Sequence, residues 1–198
     1  MNETLMKFPN KKFYNNKLRC DADVKDIHIR EKFSDYDIKS PLVFLNTNSL
    51  KSNGEKQYDN SSSIYNPLEA KLASEIAKNY LKLKIPKKNI GIIALYNDQV
   101  DLIQKMTNVE VNTVDGFQGK EKEIIIVSNV RSNDDNKTGF INDNRINVSL
   151  TRAKRKLIVI GNIETLKHDK TYNEFMKHCK NENCMINLVE TVREYEKN

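Results

Sequence analysis

The sequence predicts an α/β fold in which helices cover both faces of a mostly parallel sheet. Short continuous apolar runs, such as LVFLN and IGIIAL, are typical of strands that are buried on both sides. Segments with a helical spacing of apolar residues alternate with these runs, and this alternation indicates parallel strands joined by helices. With 198 residues and no internal repeat, the chain has the size of one domain.

The first half of the chain alternates between polar connections and buried elements. Residues 20–41 are charged and lack periodic apolar positions, so we predict a loop-like connection there and a strand at 42–46. An exposed loop rich in Ser, Asn, Gly and Lys is expected at 47–65. A helix should begin at Asn66 and Pro67, a cap followed by a first-turn proline, and extend to about residue 83. Its apolar face is formed by Leu68, Leu72, Ile76 and Tyr80.

The second half contains the remaining strands. After the break at Pro86, a strand at 90–95 leads through a polar turn into a helix that ends near Met106. Further strands are expected at 110–113, 123–128 and 157–161. Beyond them follow a helix at 172–179, the short run CMINLV and a charged tail.

Two polar segments, each placed before an apolar strand, contain groups that suit phosphate. The first continues from Thr113-Val114-Asp115 into GFQGKE, where two glycines allow close approach of the backbone to a ligand. The second is NVSLTRAK, and Arg155 follows Arg152 by three residues, so a helix here would present both arginines on one side.

These segments resemble motifs V and VI of the superfamily 1B helicases. The resemblance is carried by VDGFQGKEKEIIIVSNVR, NVSLTRAK, their order and the VRSN tract between them. The group includes the nonsense-mediated-decay RNA helicase, senataxin and the replication nuclease-helicase. Asn2, VEVNTVD and VRSN favour the last, whereas GFIND is closer to the RNA-acting relatives. The resemblance implies a doubly wound RecA-like domain over 1–198, with 162–198 as a C-terminal extension.

The resemblance also assigns roles around a bound nucleotide. Arg152 matches the arginine finger, which stabilises charge on the terminal phosphate during its transfer. Glu121 matches the acid that accepts hydrogen bonds from the ribose, and Gln118 and Gly119 match the turn that links nucleotide to nucleic acid. The alternative for each is ordinary: Arg152 as a solvated residue of a basic helix, Glu121 as surface charge, and the turn as a plain loop.

Four residues match positions along the nucleic-acid face. Tyr96 and Gln99 fit a Pro-Tyr-x-x-Gln element in which Leu95 replaces the proline. Gln99 could equally be a helix-start cap or a surface residue. Thr113 and Val114 lie where the family contacts the strand backbone, although Thr113 also suits a strand end by β propensity alone.

Two further arginines have open roles. Arg131 either forms an ion pair inside the domain or faces the cleft. Asn144 stands where relatives often carry the first of two arginines, so Arg145 alone must supply what that pair provides.

The resemblance places other parts of the enzyme outside this sequence. Residues 1–19 resemble the end of the preceding helicase motif, so we expect a fragment, the alternative being that Met1 is a true initiator. The sequence has neither a G-x-x-x-x-G-K-[ST] phosphate loop nor an Asp-Glu pair after an apolar strand. ATP with Mg²⁺ is therefore expected to be held mainly by a first RecA-like lobe, and single-stranded DNA or RNA is the expected substrate.

Composition sets broader bounds. A net charge of +6 and a pI near 9.0 favour a polyanionic partner, although they also suit a basic protein without one. Three cysteines without close pairing indicate a reduced intracellular protein, and we predict no metal at His178, Cys179 and Cys184. No signal-peptide core or membrane-length apolar run occurs, so we expect neither secretion nor membrane insertion, and the nucleus is favoured over the cytoplasm.

Two alternatives from other classes remain open. One is a non-catalytic, basic nucleic-acid-binding module with a RecA-like fold. The other is a regulatory interaction domain whose loop 47–65 and tail contact proteins.

Overall fold

The computed structural model describes residues 1–20, 31–33, 36–38 and 40–189. Six parallel strands form one sheet in the order β5-β4-β6-β7-β3-β8. Its strands are β3 (Leu42–Asn46), β4 (Ile90–Ala94), β5 (Glu110–Thr113), β6 (Lys122–Ser128), β7 (Ala153–Gly161) and β8 (Met185–Asn187). The helices are α1 (Glu3–Phe13), α2 (Pro67–Lys82), α3 (Asn97–Gln104), α4 (Asp143–Thr151), α5 (Ile163–Leu166) and α6 (Lys170–Asn181). The predicted α/β class with a parallel sheet is confirmed.

Both faces of the sheet are covered, as the continuous apolar runs predict. In β6, isoleucines alternate between the faces, so that Ile124 and Ile126 contact one core and Ile125 the other. The first core lies under α2 and α3, and the second lies under α1, α4 and α6. Each helix can therefore be assigned to one face by the residues it buries.

Helix α2 begins as its sequence predicts. The side chain of Asn66 accepts a hydrogen bond from the amide of Glu69 at 3.1 Å, and Pro67 occupies the first turn. This cap satisfies one of the amide groups that a helix start leaves without an internal partner.

Two predictions of secondary structure were wrong. The segment 20–41 was predicted to be loop-like, but β1 (Glu31–Phe33) and β2 (Tyr36–Ile38) pair as an antiparallel ladder; most of the rest of that segment lies outside the described residues. Strand β7 begins at Ala153 instead of 157, because its first residue already pairs with Lys122 of β6. Arg152 and Arg155 therefore do not share a helix face.

Residues 162–189, which belong to the predicted C-terminal extension, are part of the same sheet architecture. They contribute α5, α6 and the edge strand β8, which pairs with β3. The charged tail predicted beyond them falls at 190–198, outside the described residues. No helix in the described ranges is both long and apolar enough to cross a bilayer.

The linker between β5 and β6 packs against the sheet through one aromatic ring. It includes a 3-10 turn, Asp115–Phe117, whose Phe117 is fully buried in the second core. A methyl group added at Gly91 of β4 would lie 2.8 Å from Cζ of Phe117. Glycine at this position therefore makes room for the ring.

We expect Gly91→Ala to destabilise the domain by about 1–3 kcal/mol, because the added methyl overpacks the contact with Phe117. Chemical denaturation of the single variants and the double variant with Phe117→Leu measures it. The cost of the alanine should shrink in the Phe117→Leu background. An equal cost in both backgrounds would show that the ring does not make this contact.

Candidate functional site

The predicted site residues form two groups, one at the edge of the sheet where the strands begin and one at the edge where they end. Arg152 and the segment 118–121 directly precede β7 and β6, at the amino-terminal ends of these strands. Tyr96 and Thr113 lie at the carboxyl-terminal ends of β4 and β5. The seven residues of β6 separate the two edges, by about 20 Å.

Backbone pairing brings the first group together. The amide of Lys122 donates to the carbonyl of Arg152 at 3.0 Å, which fixes the end of one polar segment against the other. Nearby, Glu121 lies 3.8 Å from the ammonium of Lys154, with both side chains substantially exposed. The amide of Asn2 donates to the carbonyl of Lys154 at 2.7 Å, so the start of α1 lies at the same edge.

The guanidinium of Arg152 has hydrogen-bond donors that are not used within the described part of the chain. It caps the carboxyl-terminal end of α4, and its Nη2 donates to Oγ1 of Thr151 at 2.9 Å. Within the described part of the chain, its Nε has no hydrogen-bond partner and its guanidinium forms no ion pair. A guanidinium with free donors in a half-buried setting is suited to a phosphate or carboxylate ligand.

Arg155 has a different environment, although it lies only three residues further along. A register shift between β6 and β7 leaves an extra residue in β7 at this point. Such bulges change the direction of side chains beside functional sites. Nε of Arg155 lies 2.6 Å from Oε2 of Glu123, so its charge is used in an ion pair between neighbouring strands.

Glycine occupies two positions in the linker, 116 and 119, for different structural reasons. Gly119 has φ +77°, a conformation that favours glycine, and a Cβ there would meet no atom within 4 Å. The segment beside Gln118 is thus open to an approaching ligand. Gly116 makes room for the side chain of Asn112, since a Cβ would lie 2.1 Å from its Oδ1, and the amide of Gly116 donates to Oγ1 of Thr113 at 3.3 Å.

The second group lines a cleft of about 360 Å³ at the carboxyl-terminal ends of β4 and β5. Tyr96, Thr113 and Val114 share its wall, so three of the four residues predicted to contact nucleic acid are brought together. Arg145 also lines the cleft, and its Nη2 donates to Asp115 at 3.0 Å. This contact partly offsets the charge of Arg145 in the absence of a ligand.

Gln99 lies behind this surface. Its side chain is fully buried, and both ends of its amide are bonded. Oε1 accepts from the amide of Asn66 at 2.8 Å, while Nε2 donates to Oγ of Ser128 at 2.9 Å and to the carbonyl of Asn66 at 3.2 Å. This placement favours a structural role for Gln99, which joins the starts of α2 and α3, over direct contact with nucleic acid.

The buried carboxyl of Glu69 joins α2 to the end of β6. Its Oε2 accepts from the hydroxyl of Ser128 at 2.7 Å and from the amide of Val130 at 2.8 Å. Burial raises the pKa of Glu69 from its ordinary value of 4.5 to about 7, although the bonds from Val130 and Ser128 act in the opposite direction. The carboxyl therefore titrates near neutral pH.

The chain leaves β6 through a strained turn. Val130 is β-branched and buried but has φ +70°, and the amide of Arg131 donates to the carbonyl of Asn129 at 2.7 Å, which closes a three-residue turn. The turn directs Arg131 to Glu55, with Nη1 and Oε1 2.9 Å apart. Of the two roles considered for Arg131, the ion pair inside the domain is the one observed.

Sequence reasoning missed three residues of this region, Glu69, Glu55 and Phe140. Glu69 follows Asn66 by three residues, the spacing of a capping box, so its position as a first-turn acid could have been recognised. Its burial could not, because the groups it binds lie 59 and 61 residues away in the sequence.

Of the two cysteines near the carboxyl terminus, Cys184 bonds to backbone through its thiol. Sγ of Cys184 donates to the carbonyl of Cys179 at 3.4 Å, and both residues are buried. Among the described residues, no group of three or more His, Cys, Asp or Glu side chains could hold a metal ion.

Known proteins resemble this chain along most of its length. A family model described as an AAA domain matches residues 1–164. An uncharacterized ATP-dependent helicase of Methanocaldococcus jannaschii is 42% identical, covering 91% of this chain and 28% of that protein. DNA polymerase alpha-associated DNA helicase A of Saccharomyces cerevisiae is 35% identical over 89% of this chain and 28% of its own length. The DNA replication ATP-dependent helicase/nuclease of Xenopus laevis is 35% identical, with 98% and 21% covered. The chain thus spans less than a third of each relative.

Glu69 should make the stability of the domain depend on pH. Because its pKa is higher in the folded state than in the unfolded state, its contribution is complete below about pH 4.5 and is lost as the pH rises through about 7. The loss amounts to roughly 3 kcal/mol. In Glu69→Gln, one oxygen can still accept both bonds but cannot titrate, so the free energy of unfolding should fall less between pH 5 and 8 than in the parent.

Chemical denaturation at several pH values compares the two proteins. The difference between them removes the contribution of other titrating groups, including His178, whose pKa is lowered by burial. Parallel curves for the parent and Glu69→Gln would exclude Glu69 as the titrating group.

Proposed function

The chain belongs to the AAA-domain family of superfamily 1 helicases, and we propose that it is the second RecA-like motor lobe of an ATP-dependent helicase. In this role it supplies the arginine finger and part of the track for a single strand. The observation that carries the proposal is Arg152, whose carbonyl accepts from the amide of Lys122, next to the segment 118–121, and whose Nε is unbonded among the described residues.

Arg152 is suited to act on the terminal phosphate of ATP. Phosphoryl transfer spreads negative charge over the transferred group, and a planar guanidinium can donate two parallel bonds to its oxygens. The bond between the amide of Lys122 and the carbonyl of Arg152 holds the backbone of Arg152 at the end of α4, and the bond from Nη2 to Oγ1 of Thr151 restrains its side chain. A group fixed before the reaction begins stabilises the transition state at little cost in reorganisation.

Glu121 and Gln118 would complete the contact with the nucleotide. Glu121 is exposed and only loosely paired with Lys154, so its oxygens can accept hydrogen bonds from ribose hydroxyl groups. Gln118 is also exposed, beside the open turn at Gly119. These contacts bind substrate, whereas Arg152 acts on charge that develops during the reaction.

Other groups of the reaction would come from the first lobe. The sequence lacks a phosphate loop, and the described residues contain no acidic cluster for a metal. Bound Mg²⁺ neutralises charge on the phosphates when ATP is present. We propose that the first RecA-like lobe holds this ion and the phosphates, and that this chain completes the nucleotide site between the two lobes with Arg152.

The single-strand track would follow the cleft at the opposite edge. Tyr96, Thr113 and Val114 line this cleft together, while Gln99 supports it from behind. We propose single-stranded DNA or RNA as its ligand, because relatives are named both as DNA helicases and as a regulator of nonsense transcripts. The relatives named as DNA helicases favour a cellular location where DNA is found. A nuclear location stays a prediction.

The isolated 198-residue chain should not hydrolyse ATP above background, with or without single strands, because the first-lobe groups are missing. Phosphate release by the purified chain with ATP and Mg²⁺ is the measurement. Magnesium-dependent turnover that follows the chain through purification would contradict the proposed division of groups between two lobes.

In the full-length protein, Arg152→Ala should lower the rate of hydrolysis about a thousandfold or more while changing ATP affinity far less. Arg152→Lys should not restore the rate, since a lysine supplies charge but no planar pair of donors. Single-turnover hydrolysis with saturating ATP and single strand measures the effect.

Arg155→Ala is the matched control for this experiment. Arg155 belongs to the same segment but its charge is paired with Glu123, so its loss should change the hydrolysis rate only modestly. If Arg152→Ala hydrolyses ATP at the parental rate, the assignment of the finger is wrong, and a non-catalytic nucleic-acid-binding module becomes the better interpretation.

A further inference from the structure

Phe140 is the most exposed of the large apolar side chains in the part of the chain that the structure describes. The residue is 69% accessible, although it lies on the rim of a cleft and not at a chain end. A single exposed apolar residue is common on protein surfaces. The position and support of this one distinguish it.

The loop that carries Phe140 is held by several hydrogen bonds. Nε of Arg131 donates to the carbonyl of Lys137 at 2.8 Å, and the side chain of Asn133 both donates to this carbonyl, at 2.9 Å, and accepts from the amide of Lys137, at 2.9 Å. The following glycine, Gly139, has φ +68°. The loop is therefore fixed just before the exposed ring.

The ring itself is positioned against the cleft wall. A Cβ at Gly139 would lie 2.1 Å from the hydroxyl oxygen of Tyr96, so only glycine allows this close approach. Nη1 of Arg145 donates to the carbonyl of Phe140 at 3.4 Å. The rings of Phe140 and Tyr96 are 6.1 Å apart between centroids, with an angle of 49° between their planes.

We propose that Phe140, supported by Tyr96, is a stacking platform for one base of the single strand. This inference rests on the proposed track, because the same cleft contains Thr113 and Val114. An exposed aromatic face can stack on any base, which suits binding without sequence preference. Since Arg145 is already paired with Asp115, stacking should contribute more at this point than phosphate charge does.

The geometry favours a base over a protein surface as the occupant. The cleft has a volume of about 360 Å³ and a polar wall that includes Ser62, Ser63 and Asn97. This volume lies at the lower end of the range for small-molecule pockets. An exposed ring beside a small polar cleft is suited to a nucleic-acid base, which is planar and has polar edges.

The absence of tryptophan from the sequence allows a direct test with the 198-residue chain. Phe140→Trp would place a single tryptophan at the platform, and stacking on a base should quench its fluorescence. Leu83→Trp is the control, because Leu83 is exposed at the carboxyl-terminal end of α2, near the opposite edge of the sheet. At low salt, an oligothymidylate should quench Phe140→Trp strongly and Leu83→Trp little.

A second measurement separates bases from the phosphate backbone. Phe140→Ala should weaken binding of the oligothymidylate about fivefold or more, but should leave binding of an abasic oligonucleotide of equal length unchanged. Phe140→Tyr keeps an aromatic face and should bind like the parent. Because Phe140 is exposed, these variants should retain the parental unfolding curve, which is recorded for each.

The outcomes distinguish the platform from the track. If the parent binds oligothymidylate while Phe140→Trp is not quenched and Phe140→Ala binds equally well, the platform is wrong and the track stands. Equal losses for abasic and base-bearing strands would also overturn the platform. If neither the chain nor the full-length protein binds single strands at low salt, the proposed track fails and the platform with it.

Discussion

The pairing of β6 with a neighbour on each side is the constraint on which both candidate sites depend. Parallel bonds to β4 and β7 fix its register over its length, and apolar side chains bury both of its faces. The amino-terminal end of β6 holds Arg152 through the amide of Lys122, and its carboxyl-terminal end holds Glu69 through Ser128. One strand therefore positions both candidate sites.

The buried polar groups at the carboxyl-terminal ends of the strands are stabilised by hydrogen bonds to one another. Burying amide and carboxyl groups is unfavourable unless they are hydrogen-bonded, and Gln99, Asn66 and Ser128 meet most of this requirement among themselves. Their network connects the starts of α2 and α3 to β6. It also supports the left-handed conformation at Val130, which costs on the order of 1–3 kcal/mol in a residue other than glycine.

Local signals in the sequence were sufficient for most of the sheet, and they failed where tertiary contacts decide. A continuous apolar run predicted β3 with its observed bounds, and the bounds predicted for β5 also agree with the structure. The start of β7 was missed because AKRK has no apolar pattern, and pairing with β6 alone extends the strand there. In the cleft, Tyr96, Thr113 and Val114 came from the family resemblance, whereas burial of Gln99 depends on Asn66 and Ser128, which are 33 and 29 residues away. Phe140 was missed because an isolated aromatic residue in a polar loop has no periodicity to indicate its role.

The length of β6 has a mechanical consequence. A central strand with partners on both sides is stiff, since stretching or bending it would break two ladders of hydrogen bonds. Its paired ladders favour a nearly constant separation between its two ends. A tilt of β6 about its Arg152 end would therefore displace its Tyr96 end sideways.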